Sequence, residues 1–113
     1  MRHVIVGLHA AGRSACAWLR RLQPDAEIVG VDPEAAPPYS RPLISYVLAG
    51  ELKPEQLNVE APDYWDRLGV RIAPERAVTL NADRKVLTLA SGREEPYDRL
   101  LIATGSTPRS AGV

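Results

Sequence analysis

His3-Val4-Ile5-Val6-Gly7-Leu8-His9-Ala10-Ala11-Gly12 is the stretch that decides the fold. A β-branched run ended by glycine has the form of a strand buried on both faces of a parallel sheet. Beyond it, Ala15, Cys16, Trp18, Leu19 and Leu22 recur at helical intervals and mark one face of a helix from Gly12 to Leu22, which Pro24 ends. Arg20 and Arg21 complement the negative end of that helix. Ile28-Val29-Gly30-Val31 is a second strand, closing a strand-helix-strand unit of about thirty residues. The segment Gly7 to Gly12 therefore sits where a dinucleotide fingerprint sits, after a strand and opening a helix. In the full fingerprint the outer glycines serve the tight turn and close helix packing, and a middle glycine lets the backbone meet pyrophosphate. Gly7 and Gly12 fill the outer roles and His9 stands at the middle one. A phosphate would lie on the backbone amides and positive end of the helix; the same residues also suit a plain tight turn.

The 113 residues are 45% hydrophobic and 25% charged, with 14 basic and 14 acidic side chains, the composition of one soluble domain or part of one. Balanced charge argues against a nucleic-acid-binding arm or a polybasic membrane patch. The longest apolar runs, Val4 to Val6 and Leu100 to Ala103, fall far short of the ~18 residues a membrane span requires. Neither nucleic acid nor membrane is expected as a partner. Cys16 is the only cysteine, which excludes an internal disulfide, a thiolate-cluster zinc site and a dithiol centre; its expected role is that of a small buried hydrophobe. His9 and Arg13 interrupt what would otherwise pass for a secretory leader, so a cytoplasmic location is expected.

Further along, Asp32 to Pro42 contains four prolines and reads as a stiff, irregular connection. Leu43 to Ala49 and Pro62 to Leu68 read as short helices, the second with Gly69 suited to its cap. Val70-Arg71-Ile72 predicts a third core strand. Val78 to Leu80 and Val86 to Leu89 flank a polar turn, and Ser91-Gly92 makes another, so an antiparallel meander follows. Arg99 to Thr104 returns as a buried strand. Asp32 and Glu34 lie about twenty residues past the glycine loop, where a carboxylate can accept both hydroxyls of a ribose. A solvated acidic turn is the plainer alternative.

The closing Tyr97-Asp98-Arg99-Leu100-Leu101-Ile102-Ala103-Thr104-Gly105-Ser106-Thr107-Pro108-Arg109 resembles the Ala-Thr-Gly segment of the pyridine nucleotide-disulfide oxidoreductase superfamily, flavoproteins with two dinucleotide domains. Glu34 followed by Pro38-Tyr39-Ser40-Arg41-Pro42-Leu43-Ile44-Ser45-Tyr46-Val47-Leu48-Ala49-Gly50-Glu51 is similar to the members grouped with ferredoxin reductases and nitrite reductase large subunits. With the glycine loop these make three matches in order over essentially the whole chain. The resemblance implies an α/β, Rossmann-like FAD/NAD(P)-binding fold with a parallel core sheet and an antiparallel β-meander, here incomplete. Residues 1–113 would be the N-terminal segment of an FAD-binding domain, without an NAD(P)H domain. Carried over by position, it implies that Gly7, His9, Ala10, Ala11 and Gly12 cradle the FAD pyrophosphate. Glu34, in preference to Asp32, would bind the adenosine ribose, and Arg41 would lie near the flavin's phosphate and isoalloxazine side. The Val78 backbone would read the adenine edge, and Ala103, Thr104 and Gly105 would pass beside the flavin. Arg109 matches a Pro-Arg ending or serves a local salt bridge. The implied activity is that of an NAD(P)H-dependent flavoprotein oxidoreductase, in which nicotinamide reduces the flavin and electrons pass to a protein or small-molecule acceptor. The residues present would bind and orient; none reads as a catalytic acid, base or nucleophile, and Tyr39 and Tyr46 read as packing or ring-edge groups.

The departures are informative. His9 either points away from the phosphates or lies beside them as a cation, in which case FAD affinity falls as pH rises. No cysteine occurs between Tyr39 and Glu51, which rules out thiol chemistry there, and Tyr46 stands where ferredoxin reductase relatives place a lysine. The later segments of such proteins are expected as partners, in the same chain or a second subunit, and self-association through uncovered apolar surface is expected without them. Two other readings stay open: a non-catalytic nucleotide-binding or assembly module completed by a partner, and a simple NAD-binding domain.

Overall fold

In the computed structural model of the chain, residues 1–107 and 109 are described. Pro108 lies outside them. The element order is β1 (Arg2–Val6), α1 (Ala10–Leu22), β2 (Glu27–Val31), a 3-10 turn over Arg41–Leu43 leading into α2 (Ile44–Leu48), a second such turn over Pro54–Leu57, α3 (Tyr64–Leu68), β3 (Val70–Ala73), β4 (Ala77–Asn81), β5 (Val86–Leu89), β6 (Glu94–Pro96) and β7 (Arg99–Ile102). Four strands form one parallel sheet in the order β3-β2-β1-β7, and β4-β5-β6 form a separate antiparallel sheet.

β1 takes a central place because it has an apolar side chain to offer on each face. Val4 and Val6, with Val29 and Val31 of β2, face the meander and pack on Leu87 and Leu89. Ile5 and Ile28 face the other way, into Cys16 of α1 and Trp65 of α3. Each fully buried aliphatic side chain contributes about 1.5–3 kcal/mol. Both faces of a short parallel sheet are thereby covered, as crossover connections require. Cys16 is fully buried, and that burial, opposed by the nearby Arg20 charge, pushes its thiol up to about 12. It is an inert packing group.

Several expected boundaries shift. α1 begins at Ala10, ahead of Gly12, with His9 in the capping place. α3 occupies only the second part of the expected helix, and Gly69 closes it with φ +72°. The guanidinium of Arg20 donates to the carbonyls of Pro24 and Ala26 beyond the end of α1 at 2.8 and 2.7 Å and to those of Leu68 and Gly69 at 2.8 and 2.9 Å, tying α1 to α3. The meander's third strand, β6, carries a buried acid. Glu95 is 1% exposed and accepts from Arg2 of β1 at 2.5 Å, from Arg71 of β3 at 2.9 and 3.2 Å, and from Arg93 at 2.9 Å. One carboxylate thus bolts the antiparallel sheet onto two strands of the parallel one.

Candidate functional site: a cleft at the ends of the parallel strands

Strand order reverses direction at β1, since the chain passes from β1 to β2 on one side and returns as β7 on the other. Open parallel sheets bind ligands outside the carboxyl ends of the strands at such a switch point. Here the loop after β1 is packed so closely that only glycine fits at its two ends. Gly7 has φ +92°, and a Cβ there would stand 2.2 Å from the Ala103 carbonyl oxygen. A Cβ on Gly12 would stand 1.7 Å from the Gly7 carbonyl oxygen. The backbone is held by Gly7 N–H donating to Val31 O at 2.9 Å and Ala103 N–H donating to Val6 O at 2.7 Å. The N–H groups of the first turn of α1 have no intrahelical acceptor, and no side chain caps them.

Asp32 supports this loop. Its buried carboxylate accepts the Leu8 N–H at 2.9 Å through Oδ2 and the Glu34 N–H at 2.9 Å through Oδ1. The second contact is an Asx turn, the feature by which the sequence Asp32-Pro33-Glu34 announces itself as an acidic turn. Both Asp32 oxygens accept from backbone and hold the loop, and Asp32 and Glu34 both border the cleft. Asp32→Asn keeps one acceptor and turns an amide donor toward the other N–H. It is expected to lower unfolding free energy by about 1–3 kcal/mol, read by chemical denaturation.

Glu34 belongs to a cluster that no local sequence signal reveals. Tyr39 Oη donates to Glu34 Oε2 at 2.9 Å, a polar contact in addition to the ring-edge one expected from sequence. Burial first, then that hydrogen bond, push the Tyr39 phenol above its ordinary range, so it stays a donor at neutral pH. Arg41 donates through Nη2 to Glu34 Oε1 at 3.4 Å and to His9 Nε2. The His9 ring meets the Tyr39 ring edge-on at 5.6 Å between centroids. Its Nε2 is 3.5 Å from Glu34 Oε2 and 3.9 Å from Asp32 Oδ2. The imidazole Nε2 thus lies among the charged groups at the end of β2. The proline-rich loop carrying Tyr39 and Arg41 is pinned by Ser40 N–H to Leu57 O at 2.8 Å, Val59 N–H to Pro38 O at 3.0 Å and Trp65 Nε1 to Ala36 O at 3.2 Å.

These parts open onto one cleft of about 520 Å³, lined among others by Gly7, His9, Glu34, Arg41, Ala77 and Thr104. A second, of about 290 Å³, lies on the other side of His9, lined by Ala10, Arg13, Tyr39 and Arg41 among others. Gly12 is buried beneath the Gly7 carbonyl and Ala11 is exposed on α1. Ala103 forms the wall against Gly7, while Gly105, at φ +71°, is exposed just past it. Val78 does not line the cleft; its neighbours Ala77 and Arg76 do. It is instead the extra residue of a β-bulge, since Ala77 pairs with Leu89 and Thr79 with Thr88, so its backbone is released from the ladder. Arg109 is exposed. Among the described residues no cluster of three or more potential metal ligands occurs.

Residues 1–113 match the pyridine nucleotide-disulphide oxidoreductase family. The chain belongs to that family. Putidaredoxin reductase of Pseudomonas putida, a relative, is 35% identical over an alignment that covers 97% of this chain and 26% of that protein. Subunit epsilon of the NADH-dependent phenylglyoxylate dehydrogenase of Aromatoleum evansii is 32% identical over 95% of this chain and 26% of its own length. Among solved structures, the covalent putidaredoxin reductase–putidaredoxin complex superimposes with a TM-score of 0.87 at 32% identity, covering 96% of this chain and 27% of that one. The chain therefore spans about a quarter of the length of these family members. The expected Rossmann-like fold, with a parallel sheet and a separate antiparallel one, is the family's fold.

Proposed function

We propose that residues 1–113 are the N-terminal segment of the FAD-binding domain of an NAD(P)H-dependent flavoprotein oxidoreductase, and that the larger cleft takes the ADP portion of FAD. The observation that carries this reading is the convergence in one cleft of the glycine loop, the Glu34 carboxylate, the start of β4 and the Thr104 segment, four pieces from four parts of the chain. The group fits what is present: Gly7 and Gly12 let the loop fold tightly against Ala103 and onto the start of α1, and the first-turn amides of α1 suit a diphosphate. Gly7, His9, Ala10, Ala11 and Gly12 would border the pyrophosphate, Glu34 the ribose, and Ala103, Thr104 and Gly105 the flavin side. When bound, FAD supplies the electron transfer between NAD(P)H and an acceptor. This chain's residues bind it, orient it and fix its ribose.

An apolar groove of about 380 Å³ between α1 and β7, lined by Ile5, Trp18, Leu19, Leu22 and Leu101 among others, supports the need for further covering. Trp18 is 57% and Leu22 71% exposed, and β7 is an edge strand. The remaining segments of the parent protein, in the same or a second chain, would cover this face, with self-association where they are lacking. No helix among the described residues is long and apolar enough to cross a membrane; a cytoplasmic setting is part of the proposal, in keeping with one buried thiol.

The test is the visible spectrum of the purified full-length protein and identification of the chromophore released on denaturation, with FAD expected. Glu34 is half exposed, so Glu34→Ala should leave the fold intact. Losing hydrogen bonds to a charged acceptor worth about 1.5–3 kcal/mol should weaken ADP binding by about 10- to 100-fold, measured by calorimetry. Unchanged ADP affinity in that variant would remove Glu34 from the site.

A further inference from the structure

The backbone around Glu34 is held more firmly than its exposure suggests. The Glu34 N–H is taken by Asp32 Oδ1 at 2.9 Å, and the next residue, Ala35, has φ +48°, a left-handed conformation uncommon for a residue with a Cβ. Such strain persists only where the surroundings over-determine it, and one restraint is the bond from Trp65 Nε1 to the Ala36 carbonyl at 3.2 Å. The Glu34 side chain, however, is 45% exposed and flexible, so a fixed backbone alone does not aim its carboxylate. Tyr39 does. Its own backbone is set by an antiparallel bridge to Asn58, flanked by the bonds of Ser40 N–H to Leu57 O and Val59 N–H to Pro38 O. From that fixed place its hydroxyl donates to Glu34 Oε2 at 2.9 Å.

Tyr39 reaches Glu34 from the side of the smaller cleft, which it lines, whereas Glu34 borders the larger one. An ionised carboxylate offers about four lone-pair sites. Tyr39 takes one on Oε2, and Arg41 takes one on Oε1 at 3.4 Å. A site on each oxygen is left, matching the two adjacent hydroxyls of a ribose. We propose that Tyr39 is a positioning residue for a ribose diol: without touching the nucleotide, it holds Glu34 so that each carboxylate oxygen keeps a free lone pair toward the larger cleft. The proposal rests on the nucleotide reading of that cleft and deepens it. A carboxylate already ordered loses less freedom on binding than one free to rotate. A neutral phenol orders it without cancelling its charge, and a single hydroxyl proton leaves the second lone pair of Oε2 open. Arg41 alone is the weaker restraint, since its contact is the longer one and its side chain is 51% exposed.

The experiment is calorimetric titration of the full-length protein, cleared of bound flavin, with ADP and with 2′,3′-dideoxy-ADP, which keeps the diphosphate and lacks the diol. Tyr39→Phe retains the ring and its edge contact with His9. It should weaken ADP binding by about three- to tenfold and dideoxy-ADP binding by less than about twofold. In a Glu34→Ala background the same change should add nothing to the loss of ADP affinity. A structural role for the hydroxyl would lower both affinities together. Equal losses for the two ligands, unchanged ADP affinity in Tyr39→Phe, or a loss that persists with Glu34→Ala would each overturn the proposal and leave the nucleotide reading standing. Failure of the unmodified protein to bind ADP would overturn that reading and the proposal with it.

Discussion

Gly12→Ala should lower the unfolding free energy by about 3 kcal/mol or more and abolish ADP binding with it. The argument is a contest of magnitudes. Alanine is favoured over glycine in a helix interior by about 1 kcal/mol, and in the first turn of α1 the gain is smaller. Against it stands a methyl placed 1.7 Å from the Gly7 carbonyl oxygen, where the obstructing atom is backbone and cannot rotate aside. Gly7 has little room to retreat, because the Ala103 carbonyl oxygen stands only 2.2 Å from where a Cβ of Gly7 would be. The clash therefore propagates through the loop into the β1–β7 pair. Ser14→Ala, on an exposed position of the same helix, is the control and should change stability by no more than about 0.5 kcal/mol. Coincident urea unfolding curves for Gly12→Ala and the unmodified protein would show that α1 and the loop are less tightly apposed than described.

Glu95→Gln is expected to destabilise by about 2–3 kcal/mol. Removing one member of a buried ion pair generally costs about 3–5 kcal/mol because the other charge is left buried. Here the side chains of Arg2, Arg71 and Arg93 are 24%, 42% and 49% exposed, so water recovers part of that loss. The acid limb supplies the second readout. Burial alone would raise the Glu95 carboxyl, but the hydrogen bond and charge of Arg71, then Arg93 and Arg2, overcome it and hold the group below the ordinary carboxylate range. A carboxyl depressed in the folded state contributes stability that is complete above its unfolded value, about 4.3. That contribution is lost as pH falls through the lower folded value. The gap between the unmodified protein and Glu95→Gln, measured by denaturation at several pH values, should accordingly be widest near neutrality and close below about pH 4. A gap independent of pH would mean that shape and not charge makes Glu95 matter.

The elements most legible in the sequence are those whose cause is local. The run Val4-Ile5-Val6 before Gly7, the helical spacing after it and the Ala103-Thr104-Gly105 segment each carry their own signal, and the fold class follows from their order. Glu34 is preferred to Asp32 in the sequence only by resemblance; that two backbone N–H groups engage the Asp32 carboxylate depends on the folded loop. What stayed hidden depends on partners far away in the chain. β6 reads Glu94-Glu95-Pro96, with no apolar alternation to mark it, because its inward residue is an acid satisfied by arginines at positions 2, 71 and 93. The direction of the His9 ring is set by Glu34, Tyr39 and Arg41 together, and a histidine in a glycine loop says nothing of them. Tyr39 acts through its hydroxyl only because Glu34 is within reach.

The pressing of Gly7 against Ala103 also has a meaning in time. Arg2 N–H donates to Asp98, 96 positions later, and β1 pairs with β7 along its length, so the sheet closes between the two ends of the described chain. Such closure forgoes local contacts and is slow. As the chain emerges from the ribosome, β1, α1 and β2 can form early, but one wall of the cleft is made last. Within residues 1–107 the cleft has both walls only once β7 has paired with β1, and a nascent stretch ending before residue 99 carries the loop without the Ala103 segment that Gly7 packs against.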